Sequence, residues 1–329
     1  MFARWSHLLI ACAVLFSYQT ANAAETLGIV TGPKTGTYYA IGRDIAGVAD
    51  KAGIKVEVKS SEGSIENIKR INSSENAALG IVQSDVLGFL SRSKNPDSIK
   101  MADKLRMVFP FYNEEVHILA RKEIKNFSDL EGKKVAVGED GSGNMLTSIN
   151  LFSMMNVTPG ETLKVAPAQG VVSVLKGEVD AVVFVGGKPV RLFKNLEDLT
   201  LPENQKFNGM LDDVHFLPLD SPKMLEEYKP ASISSNDYAF VLKPVPTIAV
   251  QAVMVSFDFS KGGQKRCVAL ALLAKRLRAA LPNLRQKGHP KWREVNLDAD
   301  SGIWKKDGCA WQDFGGKSDK ELIRILEKK

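Results

Sequence analysis

The 329-residue sequence is short of the residues that usually carry chemistry. It has three cysteines and four histidines, and no two histidines stand at a metal-ligand spacing. It lacks a G-x-x-x-x-G-K-[ST] phosphate loop, a G-x-G-x-x-G dinucleotide turn and a G-x-S-x-G nucleophile elbow. Glu114 and Glu115 are adjacent, so on a strand they point to opposite faces and do not form a carboxylate pair. His117 lies in the strand-like VHILAR, where a satisfied structural histidine is the expectation. The reading is therefore of a protein that is not an enzyme and needs neither metal nor cofactor. Lys and Arg number 44 against 38 Asp and Glu. They are scattered and have no aromatic partners, which argues against nucleic acid. Beyond residue 18 no apolar run is long enough to span a bilayer.

The amino terminus differs. MFARWSHLLIACAVLFSYQTANAAE has one arginine, an apolar run from Leu8 to Tyr18, and Ala21-Asn22-Ala23 at its end. That is the layout of a secretory signal peptide covering residues 1–23, with the mature chain starting at Ala24. The apolar run is too short for a membrane anchor. Leu9-Ile10-Ala11-Cys12 looks like a lipoprotein cleavage box, but it falls inside the apolar run. The expectation is cleavage and export to the periplasm. Cleavage removes Arg4 and no acid, so the formal charge falls from +6 to +5. Cys12 leaves as well. Cys267 and Cys309 remain in an oxidising compartment, which favours one disulfide over two buried thiols.

What the chain does have is alternation. TLGIV, IKVEVKSS and AALGIVQSD read as strands; Tyr38–Ala52, SIENIKRINSS and Val86–Arg92 read as helices. Short apolar strands alternating with helices imply a parallel α/β sheet. The pattern restarts after LRMVFPFYNEEVHILARK, with a turn of chain expected near Pro110–Glu115. SDLEGK carries Ser128 and Glu131 at capping-box spacing, with Gly132 as the stop. KVAVG, LKVAPA, DAVVFVG and VHFLPLD read as further strands, and SGNMLTSINLFSMMN as a helix. PVPTIAVQAVMVSFDF is placed to cross back. The expected layout is 24–112 with 247–329 as one lobe and its C-terminal tail, 113–246 as the other, and a cleft at the hinge.

Four segments share one design: TGPKTGTYY, SSEGSIEN, IVQSD and VGEDGSGNM each follow an apolar strand and precede a helix. At the carboxyl ends of parallel strands, such loops face a ligand crevice. Their glycines permit close backbone approach, and the helix N-termini offer N–H groups to a carboxylate or phosphate. The plainer reading of any one loop is a turn with an N-cap.

GTYYAIGRDIA, SSEGSIENIKRI, GIVQSDV, EEVHILARKEIKNFSDLEGKKVAVGEDGSG, DAVVFVGGKPV, FLPLD and PVPTIAVQAVMV closely resemble, in order, the TAXI family. These are the extracytoplasmic solute-binding receptors of TRAP transporters. The resemblance runs from about Leu27 to Phe257, and the tail KGHPKWREVNLDAD is similar to the family's end. It implies a two-lobed type II periplasmic-binding-protein fold, two α/β domains closing on a small organic anion or amino acid without chemistry. Cargo would then pass to small and large membrane subunits, separate or fused, driven by an ion gradient. Family members are linked to glutamate, glutamine or dicarboxylates such as 2-oxoglutarate. The first loop departs from the family's T-G-G-T-G-G-x-Y-Y, because Pro33 and Lys34 interrupt it.

On that basis the ligand is expected against Gly36, Thr37 and Tyr38, then Ser61, Gly63 and Ser64, then Gln83, Ser84 and Asp85. The second lobe adds Tyr112 and Glu115 at the hinge, Ser142, Gly143 and Asn144, and Val185 and Gly186. Backbone N–H groups at Ser64 and Ser142–Asn144 would hold carboxylates, and Gln83 and Ser84 would give neutral hydrogen bonds. Tyr38 or Tyr39 would wall the apolar part, Tyr39 alternatively belonging to the core. Asp85 or Glu115 would meet an amino group, unless Asp85 only caps the next helix. Lys34 either reaches a second carboxylate or is solvated at the rim. A periplasmic sensor that signals to a membrane kinase is the rival class, since it would use the same lobe pair.

Overall fold

The computed structural model describes residues 26–34, 36–73, 77–200, 209–258, 264–300, 302–312 and 314–327. The expected signal peptide, Cys12 and the mature terminus lie outside those residues.

Strands β1 (Thr26–Val30), β2 (Lys55–Lys59) and β3 (Leu79–Gln83) alternate with helices α1 (Thr37–Asp50) and α2 (Ser64–Asn72). β1 pairs in parallel with both of its neighbours, which requires the helical crossovers between them. α3 (Val86–Ser91) is followed by α4 (Pro96–Lys104), a helix the sequence reading left out. Its start is well specified: Asn95 accepts from the Asp97 N–H at 2.9 Å, and Pro96 opens the first turn.

The turn expected near Pro110–Glu115 is absent. Instead β4 (Leu105–Arg121) runs through as one strand, buried on both faces for most of its length. It pairs antiparallel with β10 (Val245–Phe257). Pro110 has no N–H to give the ladder, and the strand answers with a bulge rather than a turn. Gln251 faces Asn113 and Val253 faces Pro110, so β4 carries one residue more than β10 there.

Beyond β4 lie β5 (Lys134–Ala136), α5 (Gly143–Met155), β6 (Glu161–Leu163), α6 (Pro167–Leu175) and β7 (Ala181–Gly186). The strand expected over LKVAPA therefore ends at Leu163, because Pro167 opens a helix. The capping box is also displaced: Asn126 and Asp129 make it, around the single turn Phe127–Leu130, rather than Ser128 and Glu131. Gly132 does turn the chain, at φ +70°. Then come α7 (Arg191–Lys194), β8 (Val214–Phe216), α8 (Pro222–Leu225) and β9 (Lys229–Ile233). After β10, the tail forms α9 (Gln264–Lys287), a turn at Pro290–Glu294, and α10 (Asp319–Glu327).

The result is one continuous sheet in the order β2-β1-β3-β10-β4-β7-β5-β6, with β8 on β4 and β9 on β10. Its two ends are separate parallel α/β lobes, each with its own buried apolar clusters. Among the described strands, β4 and β10 are the ones that belong to both. Cys267 on α9 is joined to Cys309, with Cα atoms 5.1 Å apart. The loop so closed also holds Trp292, fully buried and edge-on to Phe111 at 5.6 Å.

Candidate functional site

The two lobes meet where the expected loops lie. Gly63, at φ +133°, precedes α2, and a Cβ there would sit 3.2 Å from the Gly143 nitrogen. This is a place where only glycine lets two backbones approach. The Gly141 carbonyl crosses the seam and accepts from the Ile65 and Glu66 N–H groups at 3.1 and 3.3 Å. The N-terminus of α2, expected to hold a solute carboxylate, thus meets the other lobe's backbone. Ser61–Ser64, not TGPKTGTYY, stands directly opposite GEDGSGN. Gln83 reaches across too: a Cβ on Gly143 would lie 2.1 Å from its Oε1.

Several expected ligand groups are engaged in holding this framework. The Ser61 hydroxyl donates to Asn67 Oδ1 at 2.6 Å, and Ser64 Oγ accepts from the Gln83 N–H. Ser84 Oγ accepts from the Gln251 N–H at 3.1 Å. Ser142 caps α5 by accepting from the Met145 N–H. Asn144 Oδ1 accepts from the Val185 N–H at 2.9 Å, tying α5 to β7. Gly36 precedes α1, and its N–H donates to the Pro33 carbonyl. Thr37 opens that helix, while Gly186 ends β7 opposite Glu115. Tyr39 is half-buried and Lys34 exposed.

Asp85 does not cap α3, as its side chain makes no cap bond. It points into the other lobe. Its Oδ2 accepts from Thr147 Oγ1 at 2.8 Å, from the Tyr228 hydroxyl at 3.2 Å and from Asn150 Nδ2 at 3.4 Å. Its Oδ1 is buried without a partner. Burial outweighs those three bonds and pushes the carboxyl up to about 6. Beside it, Arg92 pairs with both Glu227 oxygens at 2.9 and 3.0 Å, a second bridge between lobes.

Glu114 and Glu115 do point to opposite faces, as strand geometry demands. Glu115 accepts from the Lys188 N–H at 3.0 Å, and burial raises its titration. Glu114 accepts from the Tyr38 hydroxyl at 2.6 Å. Burial pushes Glu114 up to about 8 against the lowering effect of Tyr38, and the Glu115 charge adds to the rise. Tyr112 is 1% exposed and its hydroxyl has no partner. Lys291, from the tail, lies 5.8 Å from the Tyr112 ring centroid and donates to both Glu294 oxygens at 2.7 Å. The missing side chain of Gly187 makes room for it, since a Cβ there would meet Lys291 Cε at 2.3 Å. Asp44 of α1 fixes that stretch of tail by accepting from the Trp292 indole and the His289 N–H, each at 2.8 Å.

Glu114, Lys291, Thr147, Asn150 and Tyr228 escaped the sequence reading. Glu114 alone left a signal, as one of two adjacent acids inside a mostly apolar run. His117 is structural, as expected: Nδ1 meets the Glu115 carbonyl and Nε2 the Tyr238 hydroxyl, both at 2.9 Å. Burial keeps it neutral, pushing it down to about 3.

Residues 29–259, well over half of the chain, match the model of the NMT1-like family. The chain belongs to the NMT1-like family. Among solved structures, it resembles a histidine kinase sensor domain with similarity to periplasmic binding proteins, at 13% identity and a TM-score of 0.47, over 83% of this chain and 98% of that one. The periplasmic binding protein BugD matches at 14% and 0.47, over 92% and 95%. The periplasmic sulfonate-binding protein SsuA of Methylobacillus flagellatus matches at 15% and 0.45, over 92% and 85%. This NMT1-like protein has the expected two-lobed α/β architecture. Among the described residues no helix is long and apolar enough to cross a membrane, and no group of His, Cys, Asp and Glu is placed to hold a metal.

Proposed function

We propose that this NMT1-like protein is a periplasmic receptor for a small carboxylated organic solute, an amino acid or a dicarboxylate or 2-oxo acid. In this reading it is exported by a cleaved signal peptide and delivers its cargo to TRAP-type membrane subunits. The lobes, 24–112 with 247–329 and 113–246, close on the solute as β4 and β10 flex between them. The observation that carries the reading is the seam itself. It encloses polar side chains from both lobes, and one buried carboxylate oxygen there, Asp85 Oδ1, has no partner. An unpaired buried acceptor in a native protein calls for an explanation, and a hydrogen-bond donor on a bound solute supplies one. Gly63 and Gly143 let the two backbones meet closely at this seam, where the Gly141 carbonyl accepts from Ile65 and Glu66. The TRAP assignment rests on the ordered motifs shared with the TAXI receptors.

The test is a thermal-shift panel of amino acids, dicarboxylates, 2-oxo acids and neutral sugars. A binder at a hundredfold its dissociation constant stabilises the fold by about 2.7 kcal/mol. Stabilisation by sugars alone, or by nothing in the panel, overturns the reading. A neighbouring gene for a large membrane permease supports TRAP delivery, and a neighbouring kinase gene in its place opposes it.

A further inference from the structure

The lysines and arginines scattered along the sequence are not balanced evenly by acids. Residues 264–327 hold 14 of them against 8 Asp and Glu, so this stretch accounts for the whole formal +6 of the chain. Part of that excess surrounds a cavity of about 460 Å³ in the tail of the first lobe, outside the seam. A cavity of that volume is large enough to take a small organic group. Helix α9 brings Lys275 and Arg278 to it, α10 brings Leu322, and the segment between the two helices brings Trp311, Phe314 and Lys317. The walls are held in place. The disulfide ties Cys309 to α9, and Asp307 Oδ1 accepts from the Cys309 and Ala310 N–H groups, each at 2.9 Å. The Trp311 indole donates to the Val108 carbonyl at 3.0 Å.

Two cations sit on that indole, the Arg278 guanidinium at 4.4 Å and Lys306 Nζ at 3.9 Å from the ring centroid. Arg278 spends one of its five N–H donors on the Ala310 carbonyl, at 3.3 Å. The acids are fewer than the cations. Exposed Asp298 stands 3.5 Å from Arg278 Nε, and one carboxylate, Asp319, is shared by Lys275 and Arg276. Among the described residues no carboxylate pairs with Lys306 or Lys317. Lys306 lies over Trp311, and Lys317 donates to the Phe314 carbonyl at 3.3 Å. We propose that this cavity and its rim dock the protein on an anionic phospholipid surface, with the phosphate of one headgroup entering between Lys275, Arg278 and Lys317. The cations answer the phosphate, while Trp311, Phe314 and Leu322 answer the apolar group attached to it. Tryptophan among apolar side chains is suited to the headgroup layer of a bilayer, where its amphipathic ring is half wet. Lys306 extends the charge beyond the cavity, which suits a surface negative throughout better than one small anion. None of the lining residues belongs to the seam, so this inference stands apart from the reading of the solute site. A receptor held this way would search for its membrane partner in two dimensions instead of three.

The experiment is flotation of the intact mature protein with phosphatidylcholine vesicles, made with and without phosphatidylglycerol, at low and at high salt. Binding appears with phosphatidylglycerol, is absent on phosphatidylcholine alone, and weakens as salt screens the surface. Lys306→Gln with Lys317→Gln, both exposed side chains, lowers the partition coefficient roughly twenty-five-fold, since each lysine near such a surface is worth about fivefold. Phosphatidylglycerol with bromine on its acyl chains near the headgroup quenches the emission of half-buried Trp311. Trp311→Phe abolishes that quenching, although the buried Trp292 and Trp304 still emit. Equal binding to neutral vesicles, no binding at low salt, or an unchanged partition coefficient in the lysine variant refutes the inference. Quenching that survives Trp311→Phe refutes it as well, because the contact would then lie elsewhere. A response of Trp311 to free glycerol phosphate with none to vesicles also overturns it, and makes the cavity a site for a soluble anion.

Discussion

Replacing Asp85 by Asn should make the protein more stable, although Asp85 sits at the centre of the seam. The side chains are almost the same size, so the packing of Thr147, Asn150 and Tyr228 around it is kept. The amide oxygen takes over the bonds at Oδ2, and the amide nitrogen falls where Oδ1 now lies unpartnered. What changes is charge. Asp85 titrates near 6 in the folded protein against 3.8 when free, and a displacement of that size corresponds to about 3 kcal/mol. The sign follows from linkage. Between those two values the folded state holds a proton that the unfolded chain has lost. The contribution of this acid is therefore full below pH 3.8 and is lost as pH rises through about 6. Asn does not titrate. Urea unfolding should show Asp85→Asn more stable than wild type by up to about 3 kcal/mol at pH 7.5, and nearly equal to it at pH 4. An equal gain at both values would mean that the effect is packing, not buried charge. No gain at pH 7.5 would mean that Oδ1 is adequately solvated, and the argument for an unpaired acceptor would fail.

The disulfide and the seam give two further expectations. The cysteines are 42 residues apart, so in the chain-entropy model the bond contributes about 4 kcal/mol. Cys267→Ala with Cys309→Ala should lower the urea midpoint accordingly, and an unchanged midpoint would refute this. Gly143→Ala puts a methyl 2.1 Å from Gln83 Oε1 and 2.5 Å from its Cδ, so either Gln83 is driven from its buried place or the lobes part. Small-angle scattering should report a larger radius of gyration than wild type, and an identical radius would show that the seam yields locally.

The local elements were largely legible in the sequence, because strand and helix periods are written in adjacent residues. β1, α1, α2, β3, α5, β7 and β10 fall close to where their apolar patterns put them. The connection between lobes was misread, because a Pro next to polar residues looks like a turn. Only the pairing of β4 with β10, more than a hundred residues away, holds Pro110–Glu115 extended. The site was half legible. Gly63, Gln83, Asp85 and Gly143 lie at the seam because strand ends and helix starts mark themselves. Tyr228 and Lys291 are brought there by tertiary packing, and the short segments that carry them hold no local mark of it. Asp85 left cap and ligand readings equally open, and only the positions of Thr147 and Tyr228 decide against the cap.

The unbroken run of β4 and β10 through both lobes has a mechanical consequence. Two hydrogen-bonded strands resist stretching and shear along their length but yield to torsion, so the lobes cannot slide or separate freely as they would on two loose tethers. Their relative motion is nearly confined to one coordinate, a twist of the ribbon. The ladder is irregular at two places, one of them the bulge beside Pro110 on which Tyr112 sits. A side chain mounted on the pivot turns with every opening and closing, so whatever touches the Tyr112 hydroxyl sets the angle at which the whole molecule comes to rest.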